Sequence, residues 1–323
     1  MKKWMKAIAT MMVVSMAMTG CGGSGDSGDT AAEYTVGIVQ QLEHPALDAA
    51  TQGFQEKLTE LMDGNVAFDY QNAQGEQTNC TTIATKFVSD GVDLIMANAT
   101  TALQSASAAT ADIPIVGTSV TDYVTAGVVD SNEAPGRNVT GASDLAPIDE
   151  QITMLMELIP DVQKVGILYC SAEPNSIYQS QLAQAELDKA GVAWAEYTAA
   201  DSNEVQAVVT NAVSECDVLY VPTDNTMANN TEIIKNVAVP AGVPVIAGEE
   251  GICAGCGVAT LSISYYDLGA KAAEMAYEIL VNGADPAEMP IEYVSEGITE
   301  KYNAEIAETL NIAIPEGMVA IGE

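Results

Sequence analysis

The feature that most limits what this chain can fold into is that it writes one pattern twice. Val36-Gly37-Ile38-Val39 is a short apolar run leading into a polar, helix-opening stretch, and Val165-Gly166-Ile167-Leu168 repeats it. Asp93-Leu94-Ile95-Met96-Ala97 returns as Asp217-Val218-Leu219-Tyr220-Val221, and Ile113-Pro114-Ile115-Val116 returns as Val243-Pro244-Val245-Ile246. The echoes keep their order and lie about 124–130 residues downstream. Between such runs, apolar residues recur at helical spacing, as in Ala46, Leu47, Ala50, Phe54, Leu58, Leu61 and Met62, with Gly64 as a stop. Continuous apolar runs alternating with helices are the signature of parallel sheets covered on both faces. The expected fold is therefore α/β, with two similar lobes, each a parallel sheet flanked by helices, joined by a multi-strand hinge. Lobe one is expected over 34–145 and lobe two over 146–257. The rest is too short for a third core, so about 258–285 is expected to complete lobe one and about 290–323 lobe two. Val139 to Ala146 and the region near Val258 are the expected crossings.

The first thirty residues stand outside this scheme. Lys2, Lys3 and Lys6 precede an uncharged, mostly apolar run from Ala7 to Met18. That run is shorter than the roughly 20 residues a membrane-spanning helix needs, and it reads as an export signal over residues 1–20. It ends Met18-Thr19-Gly20-Cys21, similar to a bacterial lipobox, in which the cysteine becomes the lipidated N-terminus; Met18 stands where such boxes usually carry Leu. Residues 21–33 continue as a Gly/Ser-rich tether. The expectation is an extracytoplasmic lipoprotein held to the membrane by a palmitate-type anchor on Cys21. An ordinary secretory signal with an incidental cysteine is the plainer alternative.

Composition closes other routes. A formal net charge of −34 repels phosphate backbones, so nucleic acid is not an expected partner. One histidine, His44, excludes multi-histidine metal cages and reads more simply as a turn or packing residue. Cys170 and Cys216 border apolar runs and read as small buried hydrophobes. Cys253-Ala-Gly-Cys256 has a CxxC spacing that leaves a metal site, a local disulfide and a plain loop all open. There is no GxSxG, no phosphate-binding loop and no histidine with an evident partner, so neither an enzyme nor a cofactor is expected.

In open parallel sheets, ligands sit beyond the carboxyl ends of the strands. Here those exits are polar: Gln40 to His44, Asn98 to Thr101 and Ser119 to Asp122 in the first half, then Ala172 to Ser176, Thr223 to Asn225 and Gly248 to Glu250 in the second. Helix starts attract anions, and nearby carboxylates take a cation, so a face offering both suits a zwitterion. The candidate ligand-binding residues are Gln40, Glu43, Thr100, Thr101, Thr121, Asp122, Asn175, Ser176, Asp224, Asn225 and Glu249. Thr100, Ser176 and Asp224 serve equally well as helix N-caps.

Five segments carry a family resemblance: Val36 to Asp48, Asp69-Tyr-Gln-Asn-Ala-Gln-Gly75, Val139-Thr-Gly-Ala-Ser-Asp144, Glu173-Pro-Asn-Ser176 and Pro222-Thr-Asp-Asn225. Together they resemble the substrate-binding proteins of ABC transporters, in the branch associated with tryptophan and other aromatic amino acids, on the type I periplasmic-binding fold. Tyr123 departs from that pattern, which usually has Pro after Thr-Asp. The resemblance implies capture of an amino acid between closing lobes, with a permease and an ATPase as partners, and it alone supplies the aromatic preference. Tyr123, Tyr178 and Tyr266 are candidates for an aromatic wall. The alternatives are a receptor for a sugar or nucleoside, or a binding protein coupled to a sensor. A repressor of the same fold would need a helix-turn-helix in place of the signal.

Overall fold

The computed structural model describes residues 32–294 and 298–322. The signal, Cys21 and most of the tether lie outside the described residues.

The first half builds β1 (Tyr34–Gln40), α1 (Pro45–Leu61), β2 (Val66–Asn72), α2 (Gln77–Asp90), β3 (Leu94–Asn98), α3 (Thr100–Ala109), β4 (Ile115–Val120) and β5 (Val139–Ser143). The second half builds α4 (Ile148–Leu158), β6 (Lys164–Cys170), α5 (Pro174–Ala190), β7 (Ala193–Ala199), α6 (Val205–Glu215) and β8 (Val218–Val221). It continues through α7 (Asn225–Ala228), α8 (Thr231–Ala241), β9 (Val245–Ala247), α9 (Glu250–Cys256) and β10 (Ala259–Ser262). Then come α10 (Tyr265–Leu280), β11 (Glu292–Tyr293), β12 (Thr299–Tyr302), α11 (Ala304–Leu310) and β13 (Val319–Ala320).

Two sheets result, in the orders β11-β5-β4-β3-β1-β2 and β13-β12-β10-β9-β8-β6-β7. The first is parallel throughout; in the second, β12 runs antiparallel to β10. The repeated runs occupy equivalent places: β1 and β6, β3 and β8, β4 and β9 are the paired central strands. Their residues are almost wholly buried, as continuous apolar strands require.

The tail is shared differently from the sequence expectation. Ala259–Ser262 pairs with β9 and β12 in the second sheet, so lobe one receives only α10 from the 258–285 segment. Glu292–Tyr293 pairs with β5 in the first sheet, although 290–323 was assigned to lobe two. The physical reason is edge pairing. β5 leaves one edge of the first sheet open and the short β11 covers it, while β10 extends the parallel order of the second sheet.

α10 returns to lobe one because glycine lets it come close. Its Gly269 sits against the Ala50 carbonyl and Gly53 of α1 sits against the Tyr266 carbonyl; a Cβ at either glycine would collide. This seam covers a core of Val36, Ile38, Phe54, Leu58, Leu94, Met96 and Val116. Tyr123 is fully buried in lobe one, over the space left by Gly117 and Gly141, with its hydroxyl donating to the Ala142 carbonyl at 3.0 Å. It is a core residue and not part of a pocket wall. Cys253 and Cys256 are buried, free thiols on α9. Among the described residues, no helix is long and apolar enough to cross a membrane and no group of three or more His, Cys, Asp or Glu could hold a metal ion.

Candidate functional site: the cleft between the lobes

The carboxyl ends of the two sheets face each other, and named side chains bridge the gap. His44, at the start of α1, lies 3.1 Å from Oδ1 of Asn225 through its Nε2. Gln179 of α5 donates to the Thr121 hydroxyl beyond β4 at 3.2 Å. Thr121 in turn donates to Asp144 at 3.1 Å, and Asp144 accepts from the Tyr265 hydroxyl at 3.0 Å. Lobe two contributes a hub at Glu173. Its carboxylate accepts from the backbone N–H of Asn225 and of Thr226, from the Asn225 side-chain amide at 2.8 Å and from the Thr226 hydroxyl. The lobes therefore stand closed on each other.

A cavity of about 450 Å³ opens beside this bridge, lined from lobe one by Gln41, Leu42 and Thr101 among others, and from lobe two by Glu173, Ser202 and Thr226. A second, of about 610 Å³, is lined by Pro45, Ala46 and Ala49 on α1, Glu249 and Gly251 at α9, and Tyr265 and Tyr266.

Local sequence explains the placement. β1 and β3 end in Gln40 and Asn98, and β4, β8 and β9 run within three residues into Thr121, Thr223 and Glu249, so hydroxyls, amides and carboxylates gather where the strands give way to helices. The backbone there is strained: Ala99 has φ 86° and Ser119 φ 55°, conformations costly for residues with a Cβ. Several buried polar atoms of this region have no hydrogen-bond partner among the described residues: His44 Nδ1, Asn98 Oδ1, Thr118 Oγ1, Ser119 Oγ and Asn175 Oδ1. Buried groups of this kind are normally paired, and their gathering at one face is typical of a site built for a polar guest.

Burial works against charge on the titratable groups here. Burial pushes the Asp144 carboxyl up to about 6, against the hydrogen bonds from Tyr265 and Thr121. Burial likewise raises Glu249 to about 7. Asp224 is raised by burial and then by the neighbouring Glu173 charge. His44 is lowered by burial, partly offset by Asn225, Glu173 and Asp48.

Among the residues expected from sequence, Thr121, Asn175 and Asn225 belong to the bridging network, and Ser176 is buried beside Asn175, accepting from it at 3.2 Å. Thr101 lines the smaller cavity and Glu249 the larger. Thr100 is buried at the first position of α3. Others are spent on the scaffold. Gln40 is satisfied by Leu42, Asp48 and Thr51 within lobe one. Asp224 accepts from the backbone N–H of Cys170 and Met227, and Glu249 from those of Gly251 and Ile252, so both cap short helices. Glu43 is exposed, and Asp122 closes its own turn by accepting from Thr125. Tyr178 is half-buried, and Tyr266 lines the larger cavity while donating to Glu56.

Sequence reasoning places Gln41, His44 and Glu173 at polar strand exits without choosing them as ligand-binding residues, and it passes over Asp144, Gln179 and Tyr265 as site residues. One signal was available: Gln179 follows Asn175 by one helical turn and shares its face. Asp144 falls, by sequence, within an expected crossing and a segment that carries the family resemblance, and neither marks it as a site residue.

Comparison with known proteins agrees with this geometry. Residues 35–322 match the family described as ABC transporter substrate binding protein. A Clostridioides difficile (strain R20291) protein named tyrosine-binding protein is 39% identical over 300 residues, covering 90% of this chain and 86% of its own. A Streptococcus pneumoniae ABC domain in complex with L-Trp has a TM-score of 0.86 at 32% identity, over 89% of this chain and 99% of that one. The ligand-free, open structure of a substrate binding protein with adhesive properties from Clostridium difficile reaches only 0.69, despite 37% identity over the same shares. The better match to the occupied structure fits the bridged cleft seen here. These proteins bind solutes and are not enzymes. The chain belongs to the ABC transporter substrate-binding protein family.

Proposed function

We propose that the ligand is an L-amino acid with a large apolar or aromatic side chain, captured between the two lobes and delivered to a permease and ATPase for uptake. The observation that carries this reading is the combination, in one closed cleft, of unpaired polar atoms with buried carboxylates and an adjoining cavity whose walls include Tyr265 and Tyr266. The ammonium of such a ligand suits the unpaired acceptors and the carboxylates, its carboxylate suits the unpaired Thr118 and Ser119 hydroxyls, and an aromatic side chain suits an apolar wall. The relative named for tyrosine and the neighbour holding L-Trp support the same class. Thr101, Thr121, Asn175, Ser176 and Asn225 are the sequence-chosen residues proposed to face the ligand. The protein is further proposed to be tethered outside the cytoplasm through lipid on Cys21, a reading supported by the apolar run that ends in Met18-Thr19-Gly20-Cys21.

A thermal-shift screen of the mature domain against the amino acids, common sugars and nucleosides tests the ligand class. A ligand at about 100 times its dissociation constant adds roughly 2.7 kcal/mol, which raises Tm by about 5–10 °C. Tyrosine, tryptophan or phenylalanine is expected to give that shift. Silence from all three, with a shift from a sugar or nucleoside, would overturn the amino-acid reading.

A further inference from the structure

We propose that His44 reads the ligand's amino group: its Nε2–H holds Asn225 across the cleft while its Nδ1 lone pair accepts a hydrogen bond from the ligand ammonium. This rests on the amino-acid reading above.

The hydrogen-bond network fixes the tautomer. The Asn225 side-chain nitrogen donates to Glu173 Oε2 at 2.8 Å, and a carboxylate oxygen only accepts, so the amide cannot be flipped. Its oxygen therefore faces His44, and an amide oxygen also only accepts. Nε2 of His44 must then carry the proton in the 3.1 Å contact. Burial lowers the affinity of the ring for a second proton, so at neutral pH Nδ1 is a bare acceptor. His44 is only 7% exposed, and this atom has no partner among the described residues.

The same logic applies to Asn175. Its nitrogen donates to Glu173, Ser176 and the Thr223 carbonyl, which leaves Oδ1 as a second buried acceptor in the same network. A buried acceptor left bare keeps the cost of its lost water contacts, so such a pair selects a guest rich in donors. An ammonium supplies three. The charged neighbours that act on the imidazole are the carboxylates of Glu173 and Asp48, which favour a cation beside it. No arginine lines either cleft cavity, and the lysine that does, Lys301, is paired with Glu250 at 2.6 Å.

The test compares L-tyrosine with 3-(4-hydroxyphenyl)propionate, which lacks only the amine, on wild-type protein and on His44→Phe. A hydrogen bond to a charged donor contributes roughly a tenfold to hundredfold difference in affinity. Removing the amine is expected to weaken wild-type binding by at least that factor, and to cost the variant about tenfold less. Because the chain has a single histidine, the ring nitrogens of untagged, histidine-labelled protein can be read directly by long-range proton–nitrogen NMR. The bound state should show protonated Nε2 and bare Nδ1, with the Nδ1 resonance moved by tyrosine and not by the des-amino analogue. Equal amine dependence in both proteins, or an Nδ1 that carries the proton, overturns the role of His44 and leaves the amino-acid reading standing. If wild-type protein binds neither tyrosine, tryptophan nor phenylalanine, the amino-acid reading falls and the assignment of His44 falls with it.

Discussion

At the scale of single residues, the same side-chain chemistry does two different jobs at the strand exits. Asp224 and Glu249 were chosen from sequence as possible partners of a ligand cation, yet their oxygens are held by backbone N–H groups at the starts of α7 and α9. Sequence alone could not separate the roles, because a cap and a ligand contact demand the same short polar residue at the same helix position. The distinction lies in where the second lobe stands. Asp224→Ala is accordingly expected to cost about 2 kcal/mol of stability, by stripping the Cys170 and Met227 amides of their acceptor. Chemical denaturation checks the loss. A variant as stable as wild type but unable to bind ligand would instead place Asp224 in direct contact with it.

At the scale of elements, the alternating runs made the central strands and the main helices legible, because buried parallel strands are continuously apolar. What stayed hidden was exposed or remote. β2 and β7 at the sheet edges carry mixed burial and polar residues, so they lack the apolar run that marks β1 or β6. The destination of β10, α10 and β11 depended on which sheet edges were left open, which no local pattern records. The α1–α10 seam shows how a long-range constraint can still be sharp. Gly269→Ala drives a methyl group into the Ala50 carbonyl, and overpacking of this kind typically costs about 1–3 kcal/mol. A thermal melt should show Tm lowered by several degrees, with ligand-induced stabilisation retained by the folded fraction. An unchanged Tm would mean that the helices separate without cost.

At the scale of the whole molecule, charge sets how stability varies with pH. Asp144 and Glu249 have folded-state values raised above those of the unfolded chain, to about 6 and about 7. The folded protein thus holds protons more tightly than the unfolded chain does. The stability associated with Asp144 and Glu249 is present at acid pH and is lost as pH rises through those values. Repulsion within a chain of net charge −34 acts in the same direction. Exposed pairs such as Lys86–Asp69 and Lys164–Glu215 oppose it only below the ordinary carboxylate range, where their lowered carboxyls protonate. The mature domain should therefore melt at a higher temperature near pH 5 than near pH 8, and Asp144→Asn should flatten part of that slope. Scanning calorimetry across pH decides it; a Tm that rises toward pH 8 would contradict the assignment of carboxyls whose charge is disfavoured by burial.

The closed cleft itself makes the strongest demand. His44–Asn225 and Gln179–Thr121 can form only when the lobes meet, and a hinge of several chain crossings permits rigid lobes to part without disturbing either sheet. Small-angle X-ray scattering of the mature domain, with and without saturating L-tyrosine, measures that motion directly. A smaller radius of gyration is expected with ligand, approaching that of the closed structure. Tyrosine bound by calorimetry with the radius unchanged would contradict capture by closure.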